Sequence, residues 1–251
     1  MARQAGIIKL TGSVGGVTFY MRKDGTYFAR KTPGISKKTF KTSKNFEGSR
    51  RAGQEFGQAS RVSSRLRRKI LPLMFEMDKG YLPSRMTAHF QKVLRTDPTH
   101  GPGERKISFG NLDLMKGFRF GTEVLKDILG GVPHLHFDEF QKSYTVDFSE
   151  MGTTVAVPKA ASHSQIRIAM VGLEEDGLAE FILLAENIPY LPVGIETGHL
   201  GKVEFHPEEK LHAGQLVFMI VGIRFFQEVN GEMNALRESE AFGLEDCFLA
   251  S

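Results

Sequence analysis

A chain of 251 residues, 41% hydrophobic and 25% charged, is long enough to bury a sizeable core, which excludes wholesale disorder and a fibrous repeat. Its single cysteine, Cys247, excludes an internal disulfide, and no stretch approaches the roughly 18 apolar residues of a membrane span. The net charge of +4 hides a division: residues 1–70 hold 17 lysines and arginines against Asp24, Glu47 and Glu55, about +14, and the remainder carries about −10.

Halves of opposite charge suit a basic arm for a polyanion, or an arm that docks on acidic surface of the same or a neighbouring subunit. Met1 to Leu10 carries only a short apolar patch. The chain is therefore expected to be made in the cytoplasm without a Sec signal peptide, reaching any particle or filament by another route.

Val17, Phe19 and Met21 alternate with Thr18, Tyr20 and Arg22, a second extended run covers Thr26 to Lys31, and Asp24-Gly25 lies between. This predicts a β-hairpin with positive φ at both central turn residues. Ile7, Ile8 and Leu10 suggest a preceding strand, joined through Gly12, Gly15 and Gly16. A small hairpin is marginal alone in water, so it has to pack on something larger. Thr32 to Ser43, with Pro33-Gly34 and Lys37, Lys38 and Lys41, reads as an exposed linker or arm.

After Asn45, an N-cap candidate, Ala52, Phe56, Ala59, Val62, Leu66 and Ile70 recur at helical spacing until Pro72. The other faces of this helix carry Arg50, Arg51, Arg61, Arg65, Arg67, Arg68 and Lys69, and its Gly53 and Gly57 would permit close helix packing. A second helix fits Leu82, Met86, Phe90, Val93 and Leu94, from near Pro83 to Asp97-Pro98, with His100 to Lys106 a loop.

Beyond Asn111 the period becomes two. Tyr144, Val146 and Phe148 form one alternating set, Ile166, Ile168 and Met170 another, and Val203 and Phe205 flank Glu204. Thr153 to Val157 and Phe181 to Ala185 read as further strands. Leu216 to Val229 is a long one whose apolar run to Ile223 suits burial. Asn230-Gly231 turns it into Met233 to Leu236, followed by an apolar stretch from Phe242 to Leu249. The expected fold is α+β: an N-terminal β-hairpin and basic arm (1–45), two helices (46–100), and an antiparallel β-sandwich, Ig-like or barrel-like (111–251).

Candidate chemistry is sparse. His134 and His136, two apart on a strand with Asp138 following, could share a metal, but two histidines are half of a zinc site, and a strand-edge role is the simpler reading. His206 to His212, broken by Pro207, reads as a loop. Cys247, between Asp246 and an apolar run, reads as a buried, inert thiol. Ser162-His163-Ser164 lacks the glycines of a nucleophile elbow. Glu174-Glu175-Asp176 and Glu238, Glu240 and Glu245 read as solvated loops and edges. Gly12-Ser13-Val14-Gly15-Gly16 leads into a strand, not a helix, so it is no phosphate loop. The sequence thus assigns no catalytic, metal or cofactor-binding residue, and no enzyme activity, cofactor, small-molecule substrate or membrane partner is expected.

The opening Met1-Ala2-Arg3-Gln4-Ala5-Gly6-Ile7-Ile8-Lys9-Leu10-Thr11-Gly12, with Gly16-Val17-Thr18-Phe19-Tyr20 and Lys23-Asp24-Gly25, resembles an uncharacterised family of bacterial proteins common in Bacteroidota genomes. Gly222-Ile223-Arg224-Phe225-Phe226-Gln227-Glu228-Val229-Asn230-Gly231 is similar to the corresponding C-terminal stretch. The resemblance brackets most of the chain but implies no activity, and no functional residue carries over from it.

The expected function is structural: a subunit that assembles with itself into a filament, tube or particle. A hairpin that cannot stand alone can complete a neighbour's sheet, and oppositely charged parts suit head-to-tail contacts. Val17, Phe19, Tyr20 and Tyr27 are the expected contacts, with Arg61, Arg65 and Arg68 as electrostatic partners. The rival expectation is nucleic-acid binding by the basic N-terminal region, with Tyr20, Tyr27 and Phe28 as stacking faces.

Overall fold

A computed structural model describes residues 1–251 apart from 33, 75–80, 139, 141, 142, 208–210 and 251, and the side chains of 238 and 239. Pro33, residues 208–210 of the stretch His206 to His212, and the side chain of Glu238 lie outside the described residues. The chain divides into two compact units, Met1–Arg50 and Arg51–Ser251.

The first unit is built on an antiparallel four-stranded sheet. Strands β1 (Ala2–Arg3), β2 (Gly12–Val14), β3 (Val17–Met21) and β4 (Tyr27–Lys31) take the order β1-β4-β3-β2. The expected β3–β4 hairpin pairs Val17 with Lys31 through to Met21 with Tyr27. Its turn departs from expectation. Gly25 has φ +78° but Asp24 is not in the left-handed region, because the Asp24 carboxylate accepts from the Thr26 N–H at 3.0 Å and holds a wider turn. The tight two-residue turn is instead Gly15-Gly16, at φ +58° and +77°, joining β2 to β3.

Ile7, Ile8 and Leu10 form no strand. Gln4 is the physical reason, since its side-chain amide donates to Leu10 O and Phe28 O, both at 3.1 Å, and accepts from Leu10 N at 2.9 Å. That one side chain holds the intervening residues as a loop with Ile7 and Ile8 exposed. The supposed linker contains helix α1 (Lys37–Thr42), nucleated by Ser36, whose hydroxyl accepts from Thr39 N at 3.0 Å. Ser43 then caps a 3₁₀ turn over Lys44–Phe46, so Asn45 sits inside that turn and is not a cap.

Helix α2 (Glu47–Ile70), whose first turn is counted with the first unit, and α3 (Leu82–Arg95) match the two expected helices. Ala59, Val62, Leu66 and Ile70 of α2 and Met86, Phe90, Val93 and Leu94 of α3 are buried. Phe56 is not, at 53% exposure, although it continues the same stripe. Gly53 and Gly57 adjoin open space, so they serve no close helix contact.

The rest of the second unit comprises β5 (Phe118–Arg119), α4 (Leu125–Leu129), β6 (His134–Asp138), β7 (Ser143–Asp147), β8 (His163–Leu173), β9 (Glu180–Leu184), β10 (Leu191–Pro192), β11 (Lys202–Phe205), β12 (Leu216–Val229) and β13 (Glu232–Leu249). A large antiparallel sheet runs β10-β8-β12-β13-β5, with β9 also on β8, and a small one runs β11-β7-β6. Thr153 to Val157 is no strand; Thr153 makes only an isolated bridge to Glu196. The two expected terminal strands are one continuous β13, reached from β12 through Asn230 and Gly231 at φ 54° and 82°.

The second unit is layered. Leu216, Phe218 and Ile220 of β12 share a core with α2 and α3, whereas Val217, Met219, Val221, Ile223 and Phe225 share one with Tyr144, Val146, Phe148 and Phe205 of the small-sheet region. Burial on both faces explains the unbroken apolar run of β12. The two sheets form the expected sandwich on one face, and the helices cover the other.

Candidate functional site

Period-two alternation gives the N-terminal sheet two chemically distinct faces. Residues directly opposite in an antiparallel pair share a face. The register therefore places Val14, Val17, Phe19, Met21, Tyr27, Ala29 and Lys31 on one side and Ser13, Thr18, Tyr20, Phe28, Arg30 and Arg3 on the other.

The first face is apolar apart from Lys31, which stands opposite Val17 at the end of β4. Val14 and Met21 are 74% and 55% exposed, and Val17, Phe19, Tyr27 and Ala29 are half-buried. Among the described residues of Met1–Arg50 none is buried, so this sheet has no core of its own. Of the four contacts expected from sequence, Val17, Phe19 and Tyr27 stand together here, and Tyr20 lies on the reverse.

The reverse face is a cation–aromatic row. Tyr20 and Phe28 stack at 6.1 Å between centroids, Arg22 lies 4.2 Å from the Phe28 centroid, and Arg30 lies 5.4 Å from that of Tyr20. Exposed cation–π contacts contribute roughly 0.5–1 kcal/mol each, enough to order these side chains. Ser13, Thr18 and Thr32 continue the row through hydroxyl contacts of 3.0 and 3.2 Å. The unit carries 11 lysines and arginines against Asp24 and Glu47, a net +9, and the second unit a net −5. Hydrogen bonds from Thr26 hold the Asp24 carboxyl below its ordinary pKa, so it stays ionised in the turn.

The basic side chains of α2 divide. Arg61 and Arg68 are exposed. Arg65 turns onto the β8–β9 connection, where its Nε meets Glu180 Oε2 at 3.0 Å and its guanidinium donates to the Glu174 and Ala179 carbonyls. Lys69 joins Glu180 at 3.1 Å, and Lys106 joins Asp176 at 2.8 Å. Glu175 accepts from Ile107 N at 2.6 Å, Ser108 N at 2.9 Å and the Gln58 amide. In the acidic run Glu174-Glu175-Asp176 only Asp176 is the solvated loop residue expected; Glu174 and Glu175 are half-buried and seat α2 and the Ile107 turn.

The remaining candidates find structural employment. His134 and His136 are exposed on one side of β6, His134 meeting Glu150 at 3.3 Å, and Asp138 caps Phe140 N. Among the described residues no group of three or more His, Cys, Asp or Glu side chains is disposed to hold a metal. Ser162 Oγ and Glu228 Oε2 approach the same His163 nitrogen, at 3.0 and 3.9 Å, whereas a proton relay needs the two ring nitrogens to face opposite partners. Cys247 is buried, and that burial raises its thiol pKa well above the ordinary value. Glu240 is 2% exposed and pairs with Arg224 at 2.6 Å, so it is no solvated edge. Glu245 is half-buried, and that burial raises its carboxyl pKa. Spacing missed these two because cross-strand pairing, which supplies the partner and the burial, is invisible in a linear pattern.

Two clefts flank the segment after β9. One of about 260 Å³ is lined by Leu73, Gln165, Arg167, Leu184, Asn187 and Ile188; the other, about 480 Å³, lies between Glu186 and the β11 edge at Lys202 and Glu204. Among the described residues no helix is long and apolar enough to cross a membrane. Comparison with protein families, with curated proteins and with solved structures finds no match for this chain.

Proposed function

We propose that this protein is a non-enzymatic structural subunit that assembles with copies of itself into a filament, tube or particle, the apolar face of its N-terminal sheet being the contact. One observation carries the reading: a four-stranded sheet in whose unit none of the described residues is buried presents Val14, Val17, Phe19, Met21 and Tyr27 together. Small sheets without a packed face are marginal in water, and contiguous exposed apolar surface marks an interaction site. A second copy is the occupant because its larger unit, at net −5, complements the +9 of the sheet's unit. Arg61 and Arg68, exposed on α2, are its electrostatic partners. Removing residues 1–31 should leave a folded protein that no longer assembles; a truncated chain that still forms the same oligomer would refute the reading.

A second reading draws on the reverse face. Arg22, Phe28, Tyr20 and Arg30 combine charge with ring surfaces, as single-stranded nucleic acid requires. Its mark is an affinity for an oligonucleotide that falls steeply with salt; a flat or absent response removes it.

A further inference from the structure

We infer that the 260 Å³ cleft beside β8 is a binding site for a small carboxylic acid with a short apolar tail, held by Arg167. The inference is independent of assembly and rests on a charge imbalance. Register sets Arg224 opposite both Gln165 and Glu240, and Arg167 opposite Gly222, so two arginines occupy adjacent rows on one face of the large sheet. Glu240 meets Arg224 at 2.6 Å. Among the described residues Arg167 has no such partner. Among the described residues its only polar contact is from Nη2 to Gln165 Oε1, at 3.4 Å the outer limit of a hydrogen bond, and its buried Nε has no acceptor. A half-buried guanidinium without a counter-charge is costly, and a carboxylate is the anion whose two oxygens match its planar fork.

The surroundings narrow the ligand. Leu73, Leu184 and Ile188 supply apolar wall, and Gln165 is fixed by donating to Ile188 O at 2.9 Å. Asn187 stands at the rim with φ 59°, a left-handed conformation that a non-glycine residue holds only where its surroundings impose it. One cation among apolar walls does not supply the several donors that a phosphate takes, whereas a monocarboxylate leaves its tail for the leucines. The volume, just under that of drug-sized sites, limits the tail to a few carbons. Glu186, which stands in sequence between the cleft residues Ala185 and Asn187, lines the other cleft.

The test is nuclear magnetic resonance of the full chain titrated with sodium hexanoate, with hexylamine and hexanol as controls. Saturable shifts confined to Gln165, Arg167, Leu184 and Asn187 are expected with hexanoate alone, weakened roughly tenfold or more in Arg167→Gln. Because a strand substitution can cost folding, Leu184→Trp is the second variant; it fills the cleft from an exposed position and should abolish the shifts while leaving the charge in place. The inference is overturned if hexanoate gives no saturable shift at millimolar concentration, if hexylamine or hexanol binds as well, or if a folded Arg167→Gln or Leu184→Trp protein binds unchanged.

Discussion

Arg65 and Glu180 meet at 3.0 Å, one from the middle of α2 and the other from the first position of β9. The Arg65 side chain is 12% exposed and that of Glu180 28%, and Arg65 also satisfies the carbonyls of Glu174 and Ala179. Part of the charge division along the chain is therefore answered within the second unit. Arg65→Ala should lower stability by about 1–2 kcal/mol, since it strands two carbonyls and leaves Glu180 with Lys69 alone. Urea unfolding should show a lower midpoint at an unchanged slope.

Asp97 provides the acid limb. Its carboxyl is buried, which pushes the pKa up, but N–H donors from Lys106 at 2.9 Å and Thr99 at 2.7 Å, and His100, outweigh burial and hold it at about 2. A depressed pKa stabilises the fold above its ordinary value of 3.8 and ceases to do so as the pH falls from 3.8 through about 2. Asp97→Asn should cost about 1–3 kcal/mol at neutral pH. The gap between wild type and variant should shrink at pH 2, as read by parallel urea titrations; an equal gap at both pH values would contradict this role.

Gly53 and Gly57 sit inside α2 facing open space. Alanine at either position should raise stability by about 0.5–1 kcal/mol, because glycine in a helix loses more backbone freedom on folding. Thermal unfolding monitored at 222 nm checks the sign. Destabilisation would mean that these glycines serve a contact in the assembled state.

Much of the fold could be read from side-chain periodicity, because period directly reports which face is buried. Leu66 and Ile70, Phe90 and Leu94, and the alternation about Tyr144 all follow it. The failures share a cause, which is that periodicity marks a capacity to be buried and not the presence of a partner. Phe56 continues the α2 stripe beyond the reach of the core, and Val155, which suggested a strand, is 70% exposed. Ile7 and Ile8 were outweighed by a single hydrogen-bonding side chain, Gln4. In the candidate site, alternation separated Val17 and Phe19 from Tyr20, yet the extension of both faces across β1 and β2 depends on register. The Arg167 cleft was invisible in the sequence, because its imbalance appears only when Arg224 and Glu240 pair across strands.

Tyr144 ties the two sheets through a polar contact, donating to Asp246 Oδ2 at 2.6 Å, with Lys116 on the other carboxylate oxygen at 3.0 Å. Burial, reinforced by Asp246, raises the phenol's pKa far above its ordinary value, so it remains a donor at any physiological pH. Tyr144→Phe should cost about 1–2 kcal/mol while leaving ring packing against Phe137 and Phe248 in place. Near-ultraviolet circular dichroism with urea unfolding separates that loss from a packing defect.

The most direct measurement is size-exclusion chromatography with light scattering on the full-length protein and on Phe19→Asp, at low and high salt, with absorbance recorded at 260 and 280 nm. With no tryptophan in the chain, bound nucleic acid would dominate the spectrum. The account predicts a species far larger than 28.0 kDa with a protein-like spectrum, reduced to a folded monomer by Phe19→Asp. A wild-type monomer, a large species that Phe19→Asp leaves intact, or one that exists only with nucleic acid removable by salt would contradict it.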